Sequence, residues 1–176
     1  VIYEHPSYFS PGSLAQAFRA AGLAVEDVQE AFEAQFLWAA GRPAARVEEG
    51  TEGPRPADLP EHVHAFGAHY AERLAAWRAR MDGLVAAGRR VVVWGVGSKG
   101  VTFLNALGAA APIERVVDIN PRKQGMYVAG TGQRIVAPEA LGKYRPDAII
   151  IMNPAYREEI RRQVEALGIG CEILTG

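Results

Sequence analysis

The feature that most constrains this chain is an apolar run that breaks into a glycine-rich turn. Residues 90–94 read Arg-Val-Val-Val-Trp, residues 95–100 form a Gly-x-Gly-x-x-Gly turn, and a helical pattern starts at Lys99. A strand, a tight glycine turn and a helix N-terminus together present backbone N–H groups to a phosphate, where the helix dipole favours negative charge. A second apolar run, Ile113–Asp118, ends in an acid about 20 residues later, which is the spacing of a dinucleotide-binding α/β unit.

The C-terminal half repeats this alternation of strand and helix. Strands that alternate with helices predict a parallel sheet with right-handed crossovers. The strand runs are apolar without interruption, as expected when helices cover both faces of the sheet. We therefore predict an α/β fold with a Rossmann-like parallel sheet and flanking helices over residues 89–176. Its strands are predicted at 90–94, 113–118, 135–136, 147–152 and 171–174.

The beginning of the chain predicts one helix and two strands. Ser10 and Pro11 form an N-cap and a first-turn proline, and Gly22 ends the helix that follows. Two strand-like runs come next, at 24–31 and 34–40, close enough to pair as antiparallel neighbours.

A linker and a long helix are predicted between these elements and the α/β unit. Proline, glycine and glutamate dominate residues 42–60, which is the composition of a linker or an exposed loop. Apolar residues then recur at steps of three and four up to residue 87, which predicts a helix. The predicted parts are 1–42, 43–88 and 89–176.

Composition narrows the class of protein. The chain is 49% apolar and 22% charged, with a net charge of −1, so nothing indicates binding to nucleic acid or to an anionic membrane. A single cysteine, Cys171, excludes a disulfide framework and multi-cysteine zinc sites, and a cytoplasmic setting is the default expectation. Because the chain begins with Val1 in the middle of a strand-like pattern, we expect a fragment of a longer protein.

Polar residues follow the predicted strands at the edge where ligands bind in such sheets. Each group also has a plainer interpretation, since the turn could be a purely structural strand-to-helix connection and the loop after Asp118 a solvated basic loop. The functional interpretation is that the turn and its lysine bind a phosphate while carboxylate and amide groups bind sugar hydroxyls. The predicted substrate-binding residues are Gly95, Gly97, Ser98, Lys99, Gly100, Asp118, Asn120, Lys123 and Asn153.

The residues leave the nucleotide open. An S-adenosylmethionine (SAM) site of the usual methyltransferase kind carries an acid before the first glycine, whereas this chain has Trp94. The glycine spacing and Asp118 fit a nicotinamide dinucleotide better. Lys99 inside the turn suits any anionic phosphate or carboxylate.

A second cluster of chemically active side chains lies near the start, around Glu4, His5 and Tyr8. A histidine beside a carboxylate, with tyrosines nearby, can act as a general acid or base, although an exposed Glu-His pair before a helix is more often structural. No metal site is predicted, because only His69 and Glu72 fall at a helical ligand spacing and two ligands are too few.

Several segments occur in an order that resembles one enzyme family. They are Tyr-Glu-His-x-Ser-Tyr-Phe-Ser at 3–10, Gly-x-Gly-x-Lys-Gly-x-Thr-x-Leu-Asn at 95–105 and Val-Val-Asp-x-Asn-Pro-x-Lys-Gln-Gly at 116–125, followed by Gly-Thr-Gly at 130–132 and Val-Ala-Pro-Glu at 136–139. The chain resembles, almost from end to end, the C-terminal half of the SAM-dependent C-methyltransferases that act on keto-deoxysugars linked to nucleotide diphosphates.

The resemblance implies that different parts of the enzyme bind SAM and the substrate. SAM would be bound mainly by a preceding domain that this chain lacks, and the α/β unit would help to enclose a small, nucleotide-linked substrate. His5 would be the base that forms an enolate, with Glu4 orienting its imidazole and Tyr8 in the same motif. One position departs from the family, since Ile2 replaces a tyrosine two residues before the glutamate. The expected acceptor is therefore a nucleotide-linked keto sugar or a related metabolite, and the fragment alone is expected to be inactive.

Two alternatives remain. The chain could be a stand-alone NAD- or nucleotide-sugar-binding Rossmann module without catalysis, in which the Glu-His pair is structural. It could also be a non-catalytic scaffold that retains a vestigial glycine turn.

Overall fold

The computed structural model describes residues 5, 7–32, 36–44, 59–108 and 112–176. The chain forms two compact units, which divide between His69 and Tyr70. A long helix, α2 (Leu59–Ala86), contributes residues to both units. Across the described ranges, no helix combines the length and apolar character required to cross a membrane.

The first unit contains a helix and a strand hairpin. Helix α1 (Pro11–Ala20) starts with Ser10 as its N-cap, and the side chains of Ser10 and Ser13 form a capping box. Strands β1 (Leu23–Ala31) and β2 (Phe36–Pro43) pair antiparallel, as the sequence predicts.

The second unit is built on a parallel sheet of five strands in the order β5-β4-β3-β6-β7. This confirms the predicted α/β fold class. The strands are β3 (Val91–Trp94), β4 (Ile113–Val117), β5 (Arg134–Val136), β6 (Ala148–Ile151) and β7 (Glu172–Thr175). The helices are α3 (Ser98–Leu107), α4 (Leu141–Tyr144) and α5 (Arg157–Ala166), with short 3₁₀ turns at Pro138–Ala140 and Pro154–Tyr156.

Helices cover both faces of this sheet. Along β3, Val91 and Val93 pack into one apolar cluster, which includes side chains from α2 and α3, whereas Val92 and Trp94 pack into another, which includes side chains from α4 and α5. All four residues of β3 are buried. This two-sided burial is the reason that the strands are apolar without interruption.

The strand order indicates a candidate binding edge, which is the edge formed by the carboxyl ends of the parallel strands. Strand β3 lies between β4 and β6, so the direction of the strand order reverses beside it. In open α/β sheets, ligands bind at such a switch point, outside the carboxyl ends of the strands. The glycine turn after β3, Asp118 after β4 and Asn153 after β6 all lie at this edge.

The opposite edge is held by ion pairs. Asp147, just before β6, accepts hydrogen bonds from the backbone N–H of Arg90 at 2.7 Å and from its Nε at 3.4 Å. Arg89 pairs with Glu172 at the start of β7, at 2.8 Å. These contacts join the beginnings of three strands and so have a structural role.

Candidate functional site

Two glycines of the turn are required by the fold itself. Gly95 has a φ of +99°, a backbone conformation that other residues adopt only with strain. At Gly100, a Cβ atom would lie 2.0 Å from the carbonyl oxygen of Gly95 and 3.6 Å from Cγ of Met152. The backbone of α3 therefore packs directly on the turn. The positive φ of Gly95 and the close packing of Gly100 account for the first and the third glycine without any ligand.

The middle glycine has no such structural reason. Gly97 has φ −81° and ψ −174°, which any residue adopts. A Cβ atom placed there would meet no atom of the described residues within 4 Å. The space in front of Gly97 is thus open at the N-terminus of α3, where a ligand could approach the backbone.

The first turn of α3 supplies the chemistry beside this space. Gly97 is the N-cap of α3, and in the described part of the chain no side chain caps this end. Ser98 is half-buried and Lys99 is exposed in the first helical turn. Backbone N–H groups at a helix N-terminus and an ammonium group both favour an anion.

Asp118 lies where the sequence predicts, directly after β4, but its carboxylate is turned toward the protein. The residue is only 7% exposed. Its Oδ2 accepts the backbone N–H of Val96 at 3.0 Å, and its Oδ1 accepts the backbone N–H of Asn120 at 2.8 Å. Burial alone would raise the pKa of Asp118, but these two N–H groups and the ammonium of Lys123 outweigh burial and lower the pKa below its usual value.

Lys123 also bonds within the protein. Its Nζ donates to the carbonyl oxygen of Val96 at 2.9 Å and to Oδ2 of Asp118 at 3.2 Å. Gln124 fastens the same loop by donating from Nε2 to the backbone oxygen of Asp118 at 3.0 Å. The loop after β4 is therefore attached to the turn after β3, and direct ligand binding by Asp118 and Lys123 stays a prediction.

The two asparagines at this edge both shape the backbone. Oδ1 of Asn120 accepts the N–H of Arg122 at 3.0 Å, and Oδ1 of Asn153 accepts the N–H of Ala155 at 3.1 Å. Asn120 is exposed, and Asn153 is half-buried. Both asparagines thus lie at the candidate binding edge, and each side chain stabilises the backbone turn that follows it.

Asn105 was not among the predicted site residues, although it belongs to a quoted motif and supports the helix that follows the glycine turn. Nδ2 of Asn105 donates to the carbonyl oxygens of Val101 and Ala129, each at 2.9 Å. Gly130 has a φ of +90°, and a Cβ atom there would lie 2.0 Å from Oδ1 of Asn105. Asn105 at the end of the turn motif and the Gly-Thr-Gly segment are therefore structural partners.

The second predicted cluster is only partly within the described residues. His5 is exposed, and its ring lies 6.0 Å from that of Tyr8 between centroids, with an interplanar angle of 52°. Tyr8 is 59% exposed. Glu4 lies outside the described residues, so the Glu-His pair stays a prediction.

No metal centre is found in the part of the chain that the structure describes, where no group of three or more His, Cys, Asp or Glu side chains could hold an ion. The binding edge does not fit SAM either. Trp94, in the position of the usual acid, is 5% exposed and packs in the core, and Asp118 bonds to the turn and to its own loop.

Two comparisons with known proteins give the same family. Residues 42–172 match the family described as the C-methyltransferase C-terminal domain. The chain is also 31% identical over 173 residues to the C-methyltransferase NovU of Streptomyces niveus, an alignment that covers 91% of this chain and 41% of that protein. The chain therefore spans less than half the length of this relative.

Solved structures show more distant likenesses. The crystal structure of RSP, a Rex-family repressor, is 14% identical with a TM-score of 0.39, and covers 50% of this chain and 52% of that one. RSP in complex with beta-NADH is 12% identical with a TM-score of 0.36, and covers 50% and 53% of the two chains.

Proposed function

The chain belongs to the family of C-methyltransferase C-terminal domains, and from this we propose that it is the substrate-binding portion of a SAM-dependent C-methyltransferase. Its acceptor in this proposal is a keto sugar linked to a nucleotide, or a related metabolite. The family membership supports a methyltransferase, and the site after β3 supports an anionic group on the substrate.

The open space at Gly97 carries this proposal. The backbone at Gly97 is ordinary and a side chain would fit, so glycine here leaves room for another molecule at the N-terminus of α3. The N-terminus of α3 and the ammonium of Lys99 favour a negative charge at that place. A diphosphate between a nucleoside and a sugar is the group that would meet both features.

In this proposal the residues have distinct roles. Backbone N–H groups at the start of α3, at Gly97, Ser98 and Gly100, face the phosphate, Gly95 shapes the turn that presents them, and Lys99 neutralises the phosphate charge. Asn120 and Asn153 stand at the same edge and supply amide groups for sugar or base. Asp118 and Lys123 belong to the same site through the contacts that they make with the turn.

The reacting end of the substrate would be served by His5. Imidazole is the side chain suited to removing a proton near neutral pH, here from the carbon next to a ketone. Glu4 would orient the imidazole and stabilise its protonated form. SAM, bound by another part of the enzyme, supplies the methyl group.

A dinucleotide-binding module without catalysis is the second candidate, favoured by the glycine spacing and the strand order. That function needs Asp118 to accept hydrogen bonds from a ribose. Asp118 is only 7% exposed, and its carboxylate faces the turn and its own loop, which favours the substrate-binding role instead.

Titration calorimetry of the chain with a nucleotide-sugar and with NAD distinguishes the substrate-binding role from the dinucleotide-binding module. The proposal predicts heat of binding with the nucleotide-sugar and none with NAD at the same concentration. Binding of NAD alone would support the second candidate and contradict the proposal.

A further inference from the structure

Both backbone polar groups of Val96, in the middle of the glycine turn, are held by side chains of another loop. The N–H of Val96 donates to Oδ2 of Asp118 at 3.0 Å, and its carbonyl oxygen accepts from Nζ of Lys123 at 2.9 Å. The two side chains also pair with each other at 3.2 Å. We call these three contacts the Val96 clamp.

The clamp fixes the turn at the residue before the open position. Val96 is 5% exposed and packs in the core. The preceding N–H, of Gly95, donates to the carbonyl oxygen of Val117 at 2.8 Å. Hydrogen bonds therefore fix the backbone of Gly95 and Val96, the two residues before Gly97, where the space opens in front of α3.

We propose that Asp118 and Lys123 are positioning residues, which hold the peptide groups of Val96 so that the glycine turn is already shaped for its anionic ligand. They act through Val96 and not by touching that ligand. The inference rests on the proposed function in one respect, since it takes from that proposal that an anion binds at Gly97. Donors that are fixed before the ligand arrives bind it without the cost of ordering the loop.

The negative charge of Asp118 allows a positioning role to be distinguished from direct contact with the ligand. A carboxylate next to an anion repels it, so a direct role for Asp118 needs a neutral hydroxyl group as its partner. Replacing Asp118 by Asn removes the repulsion, but it turns one of the two acceptor oxygens into an NH2 donor, so the N–H of either Asn120 or Val96 loses its partner. The positioning role therefore predicts weaker anion binding in this variant, whereas simple electrostatics predicts equal or tighter binding.

Inorganic pyrophosphate is the probe that isolates the effect, because it carries no ribose for a carboxylate to contact. Calorimetry would compare the parent chain, Asp118→Asn and the control Asp147→Asn. Asp147 also accepts a backbone N–H and pairs with a cation, but at the opposite edge of the sheet. We expect Asp118→Asn to weaken pyrophosphate binding about tenfold, the effect of one lost hydrogen bond to a charged group, and Asp147→Asn to leave it unchanged.

Amide hydrogen exchange at Val96 is the second measurement, made without ligand. Exchange should become faster in Asp118→Asn and stay as in the parent in Asp147→Asn. If Asp118→Asn fails to fold, Lys123→Met replaces it for this measurement and should also speed exchange at Val96.

Unchanged pyrophosphate affinity in Asp118→Asn, or tighter binding, would overturn the positioning role, and so would unchanged exchange at Val96. Absence of pyrophosphate binding in the parent would count against the anion site of the proposed function. In that case exchange at Val96 alone decides whether the clamp holds the turn.

Discussion

Gly100 packs against the carbonyl oxygen of Gly95 so closely that a Cβ atom at residue 100 would lie 2.0 Å from it. This contact sets the first turn of α3 directly on the end of β3. The same turn leaves Gly97 in ordinary backbone geometry with open space around it. Packing therefore explains Gly100 and a positive φ explains Gly95, whereas neither explains Gly97, the position at which we propose that the ligand binds.

Gly100→Ala should destabilise the fold by about 1–3 kcal/mol, because the added methyl group overlaps backbone that cannot move away. The control is Gly83→Ala in α2, where a Cβ atom would meet no atom of the described residues within 4 Å. That change should stabilise the helix by about 0.5–1 kcal/mol. Urea unfolding measures both variants, and a Gly100→Ala protein as stable as the parent would contradict the packing argument.

The sequence predicts the architecture of this chain well because the signals are local and strong. Uninterrupted apolar runs mark β3 and β6, and the Ser10 cap marks the start of α1. Such patterns depend on burial and on backbone chemistry within a few residues. The predicted positions of Asp118 and Asn153 at the ends of strands follow from the same signals.

Which way those polar groups point is not encoded locally. The carboxylate of Asp118 faces Val96 and not solvent because the loop after β4 folds back over the turn, a contact between residues 22 positions apart. The pairing of Asn105 with Gly130 likewise joins two segments that the sequence shows only as separate motifs. Contacts of this kind arise from the tertiary fold, so the periodicity of either segment does not predict them.

Asp118 should make stability depend on pH in the acid range. Its pKa is lowered in the folded state, although burial alone would raise it, because N–H groups of Asn120 and Val96 and the ammonium of Lys123 stabilise the carboxylate. A lowered folded pKa gives stability that is present above the unfolded value of 3.8 and is lost as pH falls through the folded value. The stability difference between the parent and Asp118→Asn should therefore shrink when urea unfolding is moved from about pH 6 to below about pH 3. A constant difference would contradict the hydrogen-bond pattern.

Lys99→Ala should weaken binding of a nucleotide-sugar by about 1.5–3 kcal/mol, because one charge-assisted contact with the phosphate is lost. Lys143→Ala is the control, since it removes an exposed lysine from α4 and away from the binding edge. Calorimetry in low and high salt measures both. Equal affinity of the two variants would remove Lys99 from the site.

His5→Ala should lower kcat by about 10² to 10⁴ in an enzyme that joins this chain to the SAM-binding domain that the proposed function requires, because a positioned general base contributes about that much. His64→Ala, an exposed histidine of α2, is the control and should leave kcat unchanged. Methyl transfer from labelled SAM to a nucleotide-linked keto sugar is the assay. An unchanged kcat in His5→Ala would return His5 to a structural role.

The central claim, that the glycine turn receives an anionic substrate at Gly97, is tested most directly by calorimetry on two valine variants. Gly97→Val fills the proposed site, and Gly170→Val places the same side chain at another exposed glycine where no described atom lies within 4 Å of a Cβ. We predict that both variants unfold cooperatively, that Gly170→Val binds a nucleotide-sugar like the parent, and that Gly97→Val does not bind it. Equal binding by the two variants would contradict the claim and leave the turn a structural connection.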